Sequence, residues 1–278
     1  IKNRNYRGQI FNYVQVDLIP NLTLKSTLGI NFRYNKRDDF VPGFLVGNDG
    51  VGNSTGRLRN YLIYDLQQEN FVNYKNSWGE HELSAVAGMQ IQKYTREFED
   101  ISSSEFTNDL IRTFNNAGAG TITSDNTRHI KNNLYSLFAG FDYDYANKYL
   151  IGATIRRDGS SRFGDNFEYG YFPAVKLGWR VSNENFLVDS EVINDLKLRA
   201  TWGVSGNERI GDYLFTGALE PGFNYNGLTG FAPTRLGNAD LTWEETESTN
   251  LGLDISLLNR RLDINIDVWE KNTSGLLS

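Results

Sequence analysis

The stretch "LTLKSTLGINFRY", Leu22 to Tyr34, decides the fold class. Leu22, Leu24, Leu28, Ile30, Phe32 and Tyr34 fall on one alternate set of positions, broken only by Ser26. Thr23, Lys25, Thr27, Gly29, Asn31 and Arg33 fall on the other. A strand points successive side chains to opposite faces, so this stretch has one apolar side and one polar side. The pattern returns downstream. Tyr149, Ile151, Ala153 and Ile155 oppose Gly152, Thr154 and Arg156. Val175, Leu177, Trp179 and Val181 oppose Lys176, Gly178 and Arg180, and Leu262, Ile264, Ile266 and Val268 oppose Asp263, Asn265, Asp267 and Trp269. Alternation of this kind predicts about ten strands in all. Helical spacing is nearly absent. Its best instance is "SNENFLVDSEVIND", Ser182 to Asp195, where Ser182 is placed to cap a short turn of helix.

Composition agrees with an all-β chain. Aromatic residues make up 13% and glycine counts 27, against a single Met. The net charge of −6 lacks the basic face that nucleic acid requires, so nucleic acid is not an expected partner. Cysteine is absent, which excludes a disulfide framework and a thiolate metal site. No apolar run approaches the ~18 residues of a membrane helix. A membrane β-barrel has no such run either, because only alternate residues of its strands meet lipid.

The connections separate the possibilities. Tight links at Ile19–Asn21, Asn76–Glu80, Ala146–Lys148 and Asn259–Arg261 alternate with long ones at Asn35–Arg57, Glu97–Arg128, Arg157–Gly170 and Gly203–Leu241. The Ser182–Asp195 link occupies a short-side position. A soluble β-sandwich has no reason to keep all its long loops on one rim. An outer-membrane barrel does, with short periplasmic turns and long extracellular loops. Tyr34, Trp78, Tyr145, Tyr149, Tyr171, Phe172, Trp202 and Trp243 lie near strand ends, where amphipathic rings form interfacial girdles.

A catalytic constellation does not emerge. His81 and His129 have neither an HExxH pattern nor a neighbouring Cys, and read as interfacial or solvated. "NNAGAGT", Asn115 to Thr121, lacks the Lys and the following helix of a phosphate loop. "GNDGVGNSTG", Gly47 to Gly56, lacks the spacing and closing Glu of a calcium loop. The acidic pairs Asp38–Asp39 and Glu244–Glu245 read as solvated. The chain is expected not to be an enzyme and to need no cofactor or metal.

"KYLIGATIRRDGSSRFGDNFEYGYFPAVKLGWRVSNENFL", Lys148 to Leu187, closely resembles the SusC/RagA-like TonB-dependent transporters of Bacteroidota outer membranes. "INDLKLRATWGVSGNERIGDYLF" from Ile193 and "LTWEETESTNLGLDISLLNRRLDINIDVWEKNTSGLL" from Leu241 resemble later segments of the same family. The departures are small: Glu168–Tyr169 stands where Arg-Trp is usual, and Asn207–Glu208 where Asn-Gln is usual. The resemblance implies a section of a plugged barrel of ~22 strands. It also implies TonB-dependent import of an oligosaccharide or peptide, with a SusD-like surface lipoprotein as lid. The chain opens without Met or a signal peptide. The expectation is that 1–278 is a partial barrel domain, with the N-terminal plug, the TonB contact and the final barrel strands outside it. A siderophore or vitamin receptor, a passive porin or adhesin, and a soluble binding module are the alternatives.

Two groups of residues follow as site candidates. Arg156, Arg157, Asp158, Gly159, Ser160, Ser161, Arg162 and Phe163 form the family motif, read as a rim turn plus an interior charge network. In that turn Asp158 is expected to accept backbone N–H bonds and Gly159 to supply a positive φ. Phe223, Tyr225, Asn226 and Phe231, in the loop from Glu220 to Pro233, are candidates for cargo. Rings flanked by amides suit sugars and peptides alike, and the same residues suit packing against a lid protein.

The face assignment yields a first prediction. Leu28→Arg costs about 2–4 kcal/mol if Leu28 faces lipid at mid-bilayer. It should sharply reduce the folded barrel recovered from membranes, whereas Lys25→Ala should leave the yield near wild type. Equal yields for the two variants would show that the faces are reversed.

Overall fold

The computed structural model describes residues 1–46, 53–114, 122–164, 168–223, 226–228 and 230–276, with Ser124 described in its backbone alone. Within these residues the chain forms twelve strands: β1 (Lys2–Ile19), β2 (Leu22–Val41), β3 (Thr55–Trp78), β4 (His81–Ser104), β5 (Ile122–Tyr145), β6 (Tyr149–Ser160), β7 (Tyr169–Arg180), β8 (Ile193–Asn207), β9 (Ala218–Pro221), β10 (Phe231–Arg235), β11 (Glu244–Leu257) and β12 (Leu262–Ser274). Ten make one sheet in the order β1-β2-β3-β4-β5-β6-β7-β8-β11-β12, and β9 and β10 pair by themselves. The expected all-β fold of about ten strands is therefore present, with one additional small hairpin.

The chain divides into two compact units. One comprises residues 1–12, 28–68 and 92–132, and the other 13–27, 69–91 and 133–278. In the first, the ring of Tyr6 stacks on Tyr34 and that of Phe32 tilts against Tyr64. These rings belong to the apolar face read from Leu22–Tyr34. On the other face Arg59 reaches Asp39 at 2.8 Å and Arg57 Nε donates to Asp100 at 2.7 Å. Such cross-strand pairs carry β2, β3 and β4 well into the segments expected to be loops.

In the second unit, the registers show both faces directly. Tyr149, Ile151, Ala153 and Ile155 pair with Trp179, Leu177, Val175 and Pro173. Trp179, Leu177 and Val175 pair in turn with Leu198, Ala200 and Trp202. Ile151, Leu177 and Leu198 stay 43–50% exposed, which in water would leave an uncovered apolar surface across three strands. Gly152, Lys176 and Thr201 form the matching row on the opposite face. Rings bound the apolar band. Tyr143, Tyr145, Tyr149 and Trp179 lie at its short-turn edge, and Tyr135, Tyr169, Tyr171 and Trp202 at its long-loop edge.

Phe172 and Trp243 do not join these girdles. Phe172 shares the parity of Ala174 and Lys176, and its ring covers Gly170 and Gly206. It is buried against Trp243 and Phe163, at 8%, 5% and 3% exposure. The sequence reading of these two rings as interfacial is thereby corrected.

The tight links are as expected, and Asn21, Gly79, Ala146, Asn147, Leu258, Asn259 and Arg260 take positive φ. Their strands are also tied across the turns: Lys75 N–H donates to the Asn21 carbonyl and Ala146 N–H to that of Glu80. His81 lies at this edge, stacked on Trp78 and 2.6 Å from the Tyr143 hydroxyl, an interfacial position.

The link between β7 and β8 departs from its expected form. It holds a 3-10 turn at Val181–Asn183, with Ser182 inside the turn instead of capping it. Ser182 Oγ donates to Asp195 at 3.0 Å, which ties the turn to the start of β8. The residue that organises this link is Glu184. Its carboxylate accepts from the Tyr149 hydroxyl at 2.6 Å, Trp179 Nε1 at 3.0 Å and Lys148 Nζ at 3.4 Å. The Tyr149 hydroxyl first, then Trp179 and Lys148, hold its pKa below the usual 4.5 by stabilising the ionised form.

That depression has a defined pH signature. The stability it contributes is complete above pH 4.5 and is lost as pH falls through the lower folded value. Urea unfolding followed by tryptophan fluorescence should show the wild-type midpoint falling between pH 7 and pH 3 more steeply than that of Glu184→Gln. Identical slopes would mean that Glu184 titrates alike in both states.

Candidate functional site

The family motif lies at the long-loop end of β6, and it is not the turn that its residue types suggest. β6 continues in extended form through Arg157, Asp158 and Gly159 to Ser160. Gly159 pairs with Tyr135 on one side and Tyr169 on the other, without positive φ. Its glycine is needed for space: a Cβ there would come within 2.5 Å of the Tyr169 ring. Asp158 accepts from Arg156 Nε at 2.7 Å instead of from backbone amides. The chain reverses only at Ser161–Phe163, where Arg162 N–H donates to Ser160 Oγ at 3.3 Å.

Arg156 and Arg157 part company because they are adjacent in a strand. Arg156 falls on the polar face, as expected from Thr154. Its Nη2 donates to Ser136 Oγ at 2.7 Å on β5 and to Gln90 Oε1 at 3.0 Å on β4. One guanidinium thus joins three strands, and Ser136 beneath it is fully buried. Arg157 falls on the apolar face, stacked 3.8 Å over the Tyr169 ring.

The rest of the motif fastens the loops. Ser161 N–H donates to the Asn133 carbonyl at 3.0 Å, and Ser161 Oγ accepts from Asn133 N–H at 2.9 Å. Arg162 Nη1 donates to the carbonyls of Glu208 and Ile210, beyond the end of β8. Phe163 inserts beside Trp243 and Phe172, while Trp243 Nε1 donates to the Glu168 carbonyl at 3.2 Å. Charge, hydroxyl and ring in one eight-residue motif therefore bind β5, β6, β7, β8 and the approach to β11. Nothing in the isolated motif shows that Phe163 meets Trp243. Only the wrong parity of Phe172 for a girdle residue hints at it.

A second feature lies on the polar face towards the short turns. A concavity of ≈ 860 Å³ is lined by Lys75, Glu82, Asp142, Lys176, Lys197 and Arg199. Lys176 meets Asp142 at 2.6 Å, and Arg199 donates to Asp254 at 2.7 and 2.8 Å and approaches Asp267 at 3.3 Å. These pairs lie flat over Gly152 and Gly252. A Cβ at Gly152 would come within 2.4 Å of both Asp142 Oδ1 and Lys176 Cε. The surface offers mixed charge and hydroxyls to a hydrated partner. Among the described residues no three His, Cys, Asp or Glu side chains converge as metal ligands.

Of the cargo candidates, Phe223, Asn226 and Phe231 line neither the concavity nor the ring cluster of the motif. Phe223 and Phe231 are 56% and 68% exposed, and Phe231 opens β10 opposite Pro221. Asn226 is exposed in a turn with φ of 50°. Tyr225 lies outside the described residues, as do Asn115–Thr121 and residues 47–52 of the calcium-like loop.

A strand sheet with a girdled apolar face and a charged reverse face is what a transmembrane barrel wall requires, and comparison with known proteins agrees. The family model "TonB dependent receptor-like, beta-barrel" matches residues 2–278. The chain belongs to this family. The receptor is similar to TonB-dependent receptor P39 of Formosa agariphila, with 47% identity over 276 residues, covering 99% of this chain and 26% of that protein. It is 32% identical to the TonB-dependent receptor SusC of Bacteroides thetaiotaomicron, covering 28% of it. Among solved structures, the RagAB peptide transporter superposes with a TM-score of 0.89 and 25% identity over 98% of this chain and 30% of that one. The chain thus spans under a third of the length of these relatives. It is an integral outer-membrane wall of SusC/RagA type, and its apolar face meets lipid.

The motif's role as a fastener is testable. Arg156→Ala leaves Ser136 and Asp158 without their shared donor, a loss of about 1–3 kcal/mol. Heat-modifiability on gels should show the folded band melting at lower temperature, whereas Arg260→Ala, in an exposed turn, should melt as wild type does. Coincident melting of both variants would show that the Arg156 network contributes nothing.

Proposed function

We propose that the full-length receptor imports an oligosaccharide or peptide across the outer membrane, driven by TonB and assisted by a SusD-like surface lipoprotein. The observation that carries this reading is the superposition of nearly the whole chain on the RagAB peptide transporter, together with 32% identity to SusC. The charged concavity on the polar face suits a hydrated plug that is held by many weak pairs and can be displaced. The exposed rings of Phe223 and Phe231 suit stacking on sugar faces or peptide side chains at the long-loop end. Partial overlap of these loops with a lid is compatible with the same placement.

The test combines isolation and growth. Full-length receptor extracted from its native outer membrane should co-purify with a lipoprotein. Cells lacking the receptor should fail to grow on either maltooligosaccharides or casein peptides as sole carbon source. Phe223→Ala with Phe231→Ala should weaken binding of that nutrient about 3–10-fold, the loss expected for one aromatic contact, without changing surface display. A receptor that purifies alone, with growth unaffected on both nutrients, overturns the proposal.

A further inference from the structure

Arg157 is a charged residue on the face that meets lipid. Its backbone pairs with Leu137 on β5 and Tyr171 on β7, both apolar-face positions. Eight residues separate it from Tyr149 in the short-turn girdle, ~26 Å along the strand and ~20 Å across the membrane at a ~40° tilt. That places the guanidinium at the upper edge of an apolar band ~25 Å tall. A charge there is tolerated only if its head reaches the interface or finds a partner.

Among the described residues Arg157 has no hydrogen-bonding partner. Arg156, its neighbour, is satisfied by Asp158, Ser136 and Gln90. The Arg157 guanidinium has no hydrogen-bond acceptor or carboxylate among the described residues, and its Nε is buried without one. Its orientation is nevertheless fixed. One face lies 3.8 Å from the Tyr169 ring, and the Tyr171 ring is 5.8 Å away. Stacking uses the flat face of a guanidinium and leaves its N–H edge free for a planar pair of oxygen acceptors. Directly along the strands lie Ile155, Pro173 and Val175, a surface for hydrocarbon chains.

We infer that Arg157, clamped by Tyr169 and flanked by Tyr171, binds the phosphate of an outer-leaflet lipid. The occupant must carry an anionic head at the level of the girdle and acyl chains beneath it. A phosphorylated lipid has both, and a phosphate presents the paired oxygens that an arginine edge fits. A carboxylate-bearing protein partner would have to enter the lipid to reach the same edge. The site is on the outer surface of the wall, so it is independent of what passes through the interior.

The probe is monophosphoryl lipid A, compared with the same lipid after enzymatic removal of its phosphate. Full-length receptor in detergent is mixed with both, and retained lipid is counted by native mass spectrometry. Wild type should retain the phosphorylated form about fivefold over the dephosphorylated one, the ratio expected for one basic residue at a charged membrane surface. Arg157→Gln should abolish the preference, and Arg157→Lys should keep part of it. Equal retention of the two lipids by wild type overturns the inference, and this arm needs no variant to fold. An undiminished preference in Arg157→Gln overturns it as well. Displacement of the lipid by millimolar inorganic phosphate would assign the site to a free anion and reject the lipid.

Discussion

Between the two belts of aromatic rings there is no water to bond a stray amide, so every strand in that layer must be paired on both sides. β6 meets this condition in full. It runs against β5 from Tyr149 to Ser160 and against β7 from Tyr149 to Gly159, with no bulge in either ladder. The side chains then have only two places to go. Ile151, Ala153 and Ile155 go to lipid, and Gly152, Thr154 and Arg156 to the interior. The fold, the alternation and the segregation of charge are three expressions of this one requirement.

It also explains where the chain spends its specific contacts. On the lipid-facing side of the apolar band neighbouring strands are held by ladders alone, and hydrocarbon side chains there gain little from one another. Register must be fixed elsewhere. At the short turns Glu184 gathers Tyr149, Trp179 and Lys148. At the long loops Arg156 gathers Asp158, Ser136 and Gln90, and Phe163 closes on Trp243. Each end of β6 is thus pinned by one ion surrounded by donors or acceptors from neighbouring strands.

The alternating strands were legible because lipid imposes a period of two on every residue it touches. Legibility stopped where lipid stops. Past Ile155 both faces of β6 become polar, so Asp158, Gly159 and Ser160 read as a turn although they are strand. Asp39 and Arg57 were read as loop for the same reason, since the pairs that extend their strands, Asp39 with Arg59 and Arg57 with Asp100, span different segments. The β9–β10 hairpin was missed because four- and five-residue strands, each containing a proline, carry no periodic signal. The Phe163–Phe172–Trp243 cluster joins positions up to eighty residues apart, which no local pattern reports. The motif itself was visible as chemistry. What sequence did not show is that its two adjacent arginines serve opposite faces.

Gly152 and Gly252 have a consequence for how this wall can diverge. Each lies beneath an ion pair that rests against the backbone. An alanine at Gly152 would lift Asp142 and Lys176 away from the sheet, and one at Gly252 would do the same to Arg199 and Asp267. Bulk added to the wall becomes bore lost from the channel. These positions can therefore change only as coupled sets, in which a larger residue at the glycine arrives with a shorter one beside it. The clearance of the interior is written in glycines on one strand and in side-chain lengths on its neighbours.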